Sequence, residues 1–278
     1  MTAEVGRSGR RCAVLGSPIA HSLSPALHQA AYGVLGLDWS YDRYEVSEAD
    51  LTGFVAGCDA SWRGLSLTMP LKVAALALGE VDPVAAQAGA ANTLVWEPEG
   101  RRVLFNTDVA GLVWALTRAG VARLPRVTIL GAGATARSTL VSVSQLGAGT
   151  VTVVARTPSR AEPLQVLGAE LGVTVDVQQW AAPLPLADAL LNTAVAGAAD
   201  TLAGAAAASA PLVFDAIYDP WPTPLALAAT AAGRTVVSGL DLLVGQALRQ
   251  LELMTGSSVD PDVLYAAGRA ALAARVGD

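Results

Sequence analysis

Residues 127–136 read Val-Thr-Ile-Leu-Gly-Ala-Gly-Ala-Thr-Ala, an apolar run that leads directly into a glycine-rich turn. The pattern predicts a strand over Val127–Leu130, then a helix that ends near Leu146 and a second strand over Thr150–Ala155. A GxGxxA turn between a strand and a helix is typical of a dinucleotide-binding βαβ unit, because the glycines let the backbone approach a pyrophosphate at the helix N-terminus. A glycine-rich turn without a ligand is the alternative. The residues predicted to bind the dinucleotide here are Gly131, Gly133, Ala134, Thr135, Ala136 and Arg137.

The end of the second strand favours one nicotinamide dinucleotide over the other. Enzymes that use NAD commonly carry an Asp or Glu there, which binds the ribose hydroxyls. Residues 155–160 read Ala-Arg-Thr-Pro-Ser-Arg instead. Guanidinium groups match the 2′-phosphate of NADP, so we predict NADP, bound at Ala155, Arg156, Thr157 and Arg160. Arginines that are only solvated surface charges are the alternative.

Composition excludes several classes of function. The chain has 278 residues, of which 53% are hydrophobic, and its net charge of −6 argues against a nucleic-acid partner. No stretch reaches the ~20 apolar residues of a membrane span, and no apolar segment follows the first arginines, so we expect a cytoplasmic protein. Cys12 and Cys58 lack the spacing of a metal or redox site, and we expect two reduced thiols and no metal.

Short apolar strands alternate with helices along the first hundred residues, which predicts an α/β fold with a mostly parallel sheet. A domain boundary is expected near Asp108, before the dinucleotide-binding unit. The predicted strands are Cys12–Leu15, Tyr41–Val46, Gly64–Leu67, Ala90–Trp96 with Arg102–Asn106 as a hairpin, Ala189–Leu191, Leu212–Ala216 and Thr235–Val237. The predicted helices are Ser24–Leu35 with Ser24 as N-cap, Ala49–Ala56, Gly111–Ala119, Ala203–Ala210, Asp241–Thr255 and Asp262–Arg275.

Lys72 is the sole lysine among 18 basic residues. Arginine cannot lose its proton at workable pH, whereas lysine can, so this position calls for lysine in particular. Leu65 and Leu67 alternate with polar residues as in a strand, and Pro70 suits the first position of a helix. Lys72 would then lie in the first helical turn, where the helix dipole disfavours a charged ammonium. We interpret it as a proton-transfer group; a solvated surface lysine is the alternative.

Further polar residues follow or precede predicted strands. Ser22 and Ser24 lie at a predicted helix N-terminus, a natural carboxylate site, and a structural role is less evident for Ser22 than for Ser24, which is a plausible N-cap. Asn92 and Asp108 lie at strand ends, where open α/β sheets bind ligands, although each also suits a turn. His21 is a weaker candidate for the same pocket, and His28 is expected to be packed or solvated.

The chain resembles the shikimate dehydrogenase family over almost its full length. The matching stretches are Gly16-Ser-Pro-Ile-Ala-His-Ser-Leu-Ser-Pro25, Leu67-Thr-Met-Pro-Leu-Lys72, Gly89-Ala-Ala-Asn-Thr93, Asn106-Thr-Asp108, Gly131-Ala-Gly-Ala-Thr-Ala-Arg137, Ala155-Arg-Thr157, Asp215-Ala-Ile-Tyr-Asp-Pro-Trp-Pro-Thr-Pro-Leu225 and Gly239-Leu-Asp-Leu-Leu-Val-Gly-Gln246. The chain departs from the family's usual residues at Ser66, Val109, Ala155 and Leu242.

The resemblance implies two domains with a cleft between them: a mostly parallel α/β substrate domain and a Rossmann dinucleotide-binding domain. The expected boundaries are 1–108 for substrate, 109–238 for NADP, and 239–278 for C-terminal helices that pack back on the substrate domain. The implied reaction interconverts 3-dehydroshikimate and shikimate with NADP, in chorismate and aromatic amino acid biosynthesis, by a monomer or homodimer.

The resemblance also implies residue roles. Lys72 and Asp108 would form the catalytic pair, and Gly239 would contact the cofactor. Ser22, Ser24 and Tyr218 would bind the substrate carboxylate. The residues expected to bind ring hydroxyls are Thr68, Asn92, Asp108 and Gln246. A dehydrogenase for quinate or an amino-shikimate remains open, as does a non-catalytic NADP-binding regulator, which would need no acid–base pair.

Overall fold

The computed structural model describes residues 8–181 and 183–276, which form two compact units. One unit contains the described residues up to Thr107 together with those from Leu243 onward, and the other is Asp108–Leu242. The break thus falls between residues 242 and 243, not at the expected 238. The assignment of substrate to one unit and NADP to the other stays a prediction. None of the helices in the described ranges combines the length and apolar character that a bilayer span requires.

The first unit is built on a mixed six-stranded sheet. Its elements are β1 (Ser8–Gly16), α1 (Ser24–Leu35), β2 (Asp38–Glu45), α2 (Glu48–Ala56), β3 (Trp62–Leu67), β4 (Glu80–Val81), α3 (Pro83–Ala88), β5 (Thr93–Trp96) and β6 (Arg102–Phe105). The strand order is β2-β1-β3-β5-β6-β4. Strand β5 runs antiparallel to β3 and β6, which confirms the predicted hairpin.

The direction of these strands determines where the predicted site residues lie. Strands β1 and β3 are parallel, and β6 shares their direction because β5 is antiparallel to both β3 and β6. The ends of β1, β3 and β6 and the start of β5 therefore meet at one edge of the sheet. The strands next to that edge contribute apolar residues to the core, and Leu15, Leu65 and Leu94 are fully buried.

The second unit is a parallel six-stranded sheet with helices between its strands. Its elements are α4 (Thr107–Arg118), β7 (Arg126–Leu130), α5 (Ala134–Gln145), β8 (Thr150–Ala155), α6 (Glu162–Leu171), β9 (Thr174–Gln179), β10 (Ala189–Asn192), α7 (Ala203–Ser209), β11 (Leu212–Asp215), α8 (Pro224–Ala231) and β12 (Thr235–Ser238). The order β12-β11-β10-β7-β8-β9 is that of a dinucleotide-binding Rossmann sheet. The predicted βαβ unit is therefore confirmed.

Two C-terminal helices, α9 (Gly239–Thr255) and α10 (Pro261–Val276), complete the chain. The residues of α9 from Leu243 onward belong to the first unit. There Arg63 Nε on β3 donates to the Met254 carbonyl at 2.8 Å. A Cβ on Gly64 would lie 2.7 Å from atoms of the buried Met254 side chain, so a larger residue at this position would displace that side chain. Both cysteines are free thiols; Cys12 is buried and Cys58 is half-buried.

Candidate active site

The loops after β1 and β3 lie directly against each other. The Ser17 N–H donates to the Met69 carbonyl at 2.9 Å, and the Thr68 N–H donates to the Leu15 carbonyl at 2.9 Å. A Cβ on Gly16 would overlap Thr68 Cγ2, so glycine is the residue that permits this approach. The structure therefore holds Thr68 beside the loop that leads to Ser22 and Ser24.

Two corrections concern these serines. Ser24 is the first residue of α1, and Leu23 occupies the cap position without a side-chain hydrogen bond, so the prediction of Ser24 as N-cap is wrong. Ser22, in contrast, has a structural role, because its Oγ accepts the Ser24 N–H at 3.3 Å. His21 is exposed, and its carbonyl accepts a hydrogen bond from Arg275.

Lys72 lies in a turn, and the prediction of a helical first turn is wrong. The segment after Lys72 is a short 3-10 helix, Ala74–Leu78. An α-helix would use the Leu76 N–H to bind the Lys72 carbonyl, but Leu76 binds Val73 instead. The Lys72 carbonyl accepts the Ala91 N–H at 2.8 Å, which ties this turn to the segment before β5. Lys72 therefore precedes a short 3-10 helix and does not lie in the first turn of an α-helix. The turn places this half-buried residue beside the segment of Asn92.

The side-chain oxygen of Asn92 accepts three hydrogen bonds. It binds the Thr107 N–H at 2.7 Å, the Thr107 hydroxyl at 3.1 Å and the Thr93 hydroxyl at 3.0 Å. Because a backbone N–H can only donate, the orientation of the amide is fixed, and its Nδ2 is directed to Gln246 Oε1 at 3.4 Å. The structure thus brings the predicted residues Asn92 and Gln246 together, both buried.

Three further residues of this cluster, Thr93, Thr107 and Gln250, were missed at the sequence level. Gln250 is fully buried and its Nε2 donates to the Thr93 hydroxyl at 2.9 Å, while Thr107 contacts both Asn92 and Gln246. Gln250 follows Gln246 by four residues, and that spacing places both on one face of a helix. The spacing is a signal from which Gln250 was predictable.

Asp108 and Tyr218 belong to the second unit. Asp108 lies in the first turn of α4, which begins at Thr107, and it is 7% exposed. Tyr218 lies in the segment after β11 and is half-buried. The buried Val109 has its carbonyl bound by the Ser142 hydroxyl at 3.2 Å. The pairing of Asp108 with Lys72 and the role of Tyr218 stay predictions.

The glycine-rich turn has the backbone that the fingerprint predicts. Gly131 has a φ of +105°, which favours glycine, and a Cβ there would lie 2.9 Å from Thr193 Oγ1. Gly133 is the N-cap of α5, and a Cβ built on it meets no atom within 4 Å, so the space in front of the helix is open. The predicted residues Ala134, Thr135, Ala136 and Arg137 form the first turn of this helix, whose N-terminus attracts anions.

The segment after β8 presents the predicted arginines to solvent. Ala155 is the buried last residue of β8, and Arg156, Thr157 and Arg160 are exposed. The Arg156 carbonyl accepts a hydrogen bond from Gln179 Nε2 at 3.1 Å, which leaves the guanidinium out of that contact. The arrangement suits recognition of a phosphate by guanidinium groups.

Gly239 has a steric role that the sequence did not reveal. A Cβ at this position would overlap the Ala216 carbonyl oxygen and lie 2.8 Å from the Ile217 carbonyl carbon. Glycine therefore allows the start of α9 to pack against the backbone after β11. Its predicted contact with the cofactor stays a prediction.

Comparison with known proteins identifies the family. The family described as "Shikimate dehydrogenase substrate binding domain" matches residues 14–94. A curated relative from Methanosarcina mazei named "Shikimate dehydrogenase (NADP(+))" is 36% identical over 221 residues, which cover 74% of this chain and 79% of the relative. A relative of the same name from Thermus thermophilus is 43% identical over 152 residues, which cover 54% of this chain. That match spans only 57% of the Thermus relative.

Solved structures extend the likeness to almost the whole chain. The shikimate dehydrogenase of Mycobacterium tuberculosis is 41% identical with a TM-score of 0.87, over 94% of this chain and 99% of that one. The Thermus thermophilus shikimate 5-dehydrogenase in complex with NADP(H) and shikimate is 34% identical with a TM-score of 0.82, over 95% and 100% of the two chains. A 5-ketofructose reductase of Gluconobacter is 28% identical with a TM-score of 0.84, over 95% and 99%. The predicted fold and family are confirmed, and the chain belongs to the shikimate dehydrogenase family.

Proposed function

We propose that this protein is an NADP-dependent oxidoreductase that interconverts shikimate and 3-dehydroshikimate, with Lys72 as its acid–base group. The observation that carries the proposal is the edge of the first sheet, where the Lys72 carbonyl is bound by Ala91 and the adjacent Asn92 is held in one orientation. This edge gathers a proton donor and hydrogen-bonding groups for a polyhydroxylated ring. The curated relatives are named as NADP-dependent shikimate dehydrogenases, which agrees with this enzyme class and cofactor.

The second unit fits NADP by its own geometry. The open N-terminus of α5 after Gly133 suits the pyrophosphate, and the exposed Arg156 and Arg160 suit the 2′-phosphate. An acidic residue that would repel this phosphate is absent from the segment 155–160. Bound NADPH supplies a hydride to the ring carbonyl carbon, and NADP⁺ accepts it in the reverse direction.

Side chains of the protein carry out the remaining steps. Lys72 as an ammonium donates a proton to the carbonyl oxygen as charge develops there, and as a neutral amine it accepts the hydroxyl proton in the reverse reaction. Asp108 orients the ammonium and favours its charged form. Ser22, Ser24 and Tyr218 bind the substrate carboxylate. The groups that bind ring hydroxyls are Thr68, Asn92, Asp108 and Gln246.

The competing functions differ in their substrates or in turnover. Quinate or an amino-shikimate would use the same Lys72, and the likeness to a 5-ketofructose reductase shows that the fold occurs with another substrate. A non-catalytic regulator would bind NADP without turnover. We further propose that the protein is cytoplasmic. We also propose that it is a monomer or a homodimer, and light scattering of the purified protein distinguishes these two states.

The decisive experiment measures NADP⁺ reduction by near-ultraviolet absorbance with shikimate and with quinate, and repeats both with NAD⁺. Rapid reduction of NADP⁺ by shikimate alone is the expected result. Activity with quinate alone would overturn the assignment of shikimate, and activity with NAD⁺ alone would overturn the assignment of NADP. In both cases Lys72 would keep its proposed role as the acid–base group. Binding of NADP⁺ without turnover of any substrate would point to the regulator.

A further inference from the structure

A series of buried hydroxyl and amide groups underlies the proposed substrate residues in the first unit. The Tyr41 hydroxyl donates to Ser66 Oγ at 2.5 Å, and Ser66 Oγ donates to Gln250 Oε1 at 3.0 Å. Gln250 Nε2 donates in turn to Thr93 Oγ1 at 2.9 Å, and Thr93 Oγ1 donates to Asn92 Oδ1 at 3.0 Å. We call this series the Tyr41–Asn92 relay. It crosses the sheet from β2 through β3 to the start of β5.

Burial raises the pKa of Tyr41, and the hydrogen bond with the side chain of Ser66 acts against that rise. The Tyr41 hydroxyl therefore stays protonated and donates its single proton to Ser66. The relay ends on Asn92, which is proposed to bind a ring hydroxyl.

The relay runs in a single direction. Ser66 and Thr93 each accept one hydrogen bond of the relay and donate the next, so neither hydroxyl can turn without breaking a contact. His28 Nε2 donates to Gln250 Oε1 at 3.1 Å, and the His28 ring stacks on Tyr41 with centroids 4.1 Å apart. Tyr41, Gln250 and His28 are fully buried, so water does not replace a lost partner.

We propose that Tyr41, with Ser66 and Gln250, positions the substrate by holding Thr93 and, through it, the side chain of Asn92. This inference rests on the proposed function of Asn92. It assigns a role to Ser66, whose short hydroxyl fits between Tyr41 and Gln250. Tyr41, Ser66 and Gln250 are positioning residues, because they act through Asn92.

The test compares two tyrosines of the same strand. Tyr41→Phe keeps the ring on His28 and removes only the hydroxyl from the relay. Tyr44→Phe is the matched control, because the Tyr44 hydroxyl contacts Arg11 at 3.2 Å and takes no part in the relay. Calorimetric titration of the full chain measures the dissociation constants of shikimate and of NADP⁺ separately, without turnover.

Tyr41→Phe is expected to weaken shikimate binding about tenfold, as befits one buried hydrogen bond, and to leave NADP⁺ binding unchanged. Tyr44→Phe is expected to change neither. An equal loss for both ligands would indicate a general structural effect and overturn the proposal, as would a shikimate affinity equal to that of Tyr44→Phe. Failure of the proposed function gives a different result, because the wild-type protein itself would then not bind shikimate.

Ser66→Ala supplies a second test that does not depend on the folding of Tyr41→Phe, and where both single variants fold a double-mutant cycle adds a third. Ser66→Ala interrupts the same relay one step further along, so it should weaken shikimate binding by itself. Because both changes break one series of hydrogen bonds, the double variant should bind shikimate about as well as either single variant. Additive losses would show that Tyr41 and Ser66 act independently and would overturn the relay.

Discussion

The two units hold their proposed binding residues in different ways. In the first unit Asn92 is 2% exposed, and three hydrogen bonds from Thr93 and Thr107 end on its oxygen. In the second unit Arg156 and Arg160 are exposed, and the Arg156 backbone, not its side chain, makes the contact with Gln179. In the first unit, other side chains hold the proposed binding side chain in place. In the second unit, hydrogen bonds hold the backbone, and the proposed binding side chains extend into solvent.

Because of this difference, substitutions in the two units should affect ligand affinity and the free energy of unfolding differently. A buried donor that loses its acceptor costs about 1–3 kcal/mol of folding free energy, whereas an exposed side chain away from such contacts usually changes it by less than about 0.5 kcal/mol. Substitutions in the first unit should therefore lower both affinity and stability. Substitutions at the exposed arginines of the second unit should lower affinity alone.

Lys72 tests this comparison most severely, because it belongs to the first unit but lies in a turn held by its backbone. The Leu71 N–H binds the Thr68 carbonyl at 2.8 Å and the Ala91 N–H binds the Lys72 carbonyl, so truncation of the side chain leaves the turn intact. We expect Lys72→Ala to lower kcat by ~10²-fold or more, the usual size of general acid–base catalysis, and to stay folded at the assay temperature.

Lys72→Arg is the matched control for charge. It keeps a cation in the turn but cannot give up a proton at workable pH, so it should be nearly as inactive as Lys72→Ala. Steady-state kinetics with shikimate and NADP⁺ measure both variants. Normal kcat in Lys72→Ala would defeat the assignment, and high activity in Lys72→Arg would reduce the role of Lys72 to electrostatic binding.

Asn92→Ala should show the combined loss expected of the first unit. The buried Thr107 N–H and Thr93 hydroxyl lose their acceptor, so the free energy of unfolding should fall by about 2–3 kcal/mol. The KM for shikimate should rise at the same time. Urea denaturation and kinetics measure the two effects. A variant of wild-type stability would contradict the view that side chains hold this site.

His28 should make the stability of the first unit depend on pH. Burial lowers the pKa of His28 from 6.5 to about 4, against the effect of the hydrogen bond with Gln250. The unfolded chain therefore binds a proton that the folded chain does not, and stability is full above about pH 6.5 and falls as the pH decreases toward about 4. Between about pH 7 and about pH 5 this linkage costs roughly 2 kcal/mol.

His28→Gln removes this titration, so its stability should fall less than that of wild type over the same pH interval. His21→Gln is the control, because His21 is exposed, and it should keep the wild-type dependence. Urea denaturation at both pH values measures the difference. Equal pH dependence in wild type and His28→Gln would show that His28 is not the buried group responsible.

Much of the fold was predictable from local patterns. The fingerprint at Gly131, the strands on either side of it and the hairpin of β5 and β6 follow from residues close in sequence. Helices α3, α6 and α8 and strands β4 and β9 were missed, although Val175 and Val177 in β9 alternate with polar residues as in a half-buried strand. Because this alternation is local, β9 was predictable from the sequence as well.

What the sequence could not supply were contacts between distant segments. The Ala91 N–H, 19 positions from Lys72, takes the carbonyl that a helix would have used. Gln250 reaches Thr93 across 157 positions, and no periodicity in either segment records that contact. Gly239 is likewise explained only by the Ala216 carbonyl, which a Cβ at that position would overlap. The identity of many site residues was therefore predictable from the sequence, whereas the contacts that hold these residues in place were not.

Arg156→Ala gives the smallest expected effect and tests the other side of the comparison. Loss of the guanidinium should raise the KM for NADP⁺ about tenfold, as for one charge-assisted contact, and leave that for NAD⁺ unchanged. The melting temperature should not change, because the side chain is exposed. Arg126→Ala is the control, since Arg126 is also exposed but pairs with Asp188 at 3.1 Å. An unchanged preference of Arg156→Ala for NADP⁺ over NAD⁺ would show that Arg156 does not bind the cofactor. A lower melting temperature of this variant would show that side-chain contacts hold the binding residues of the second unit as well.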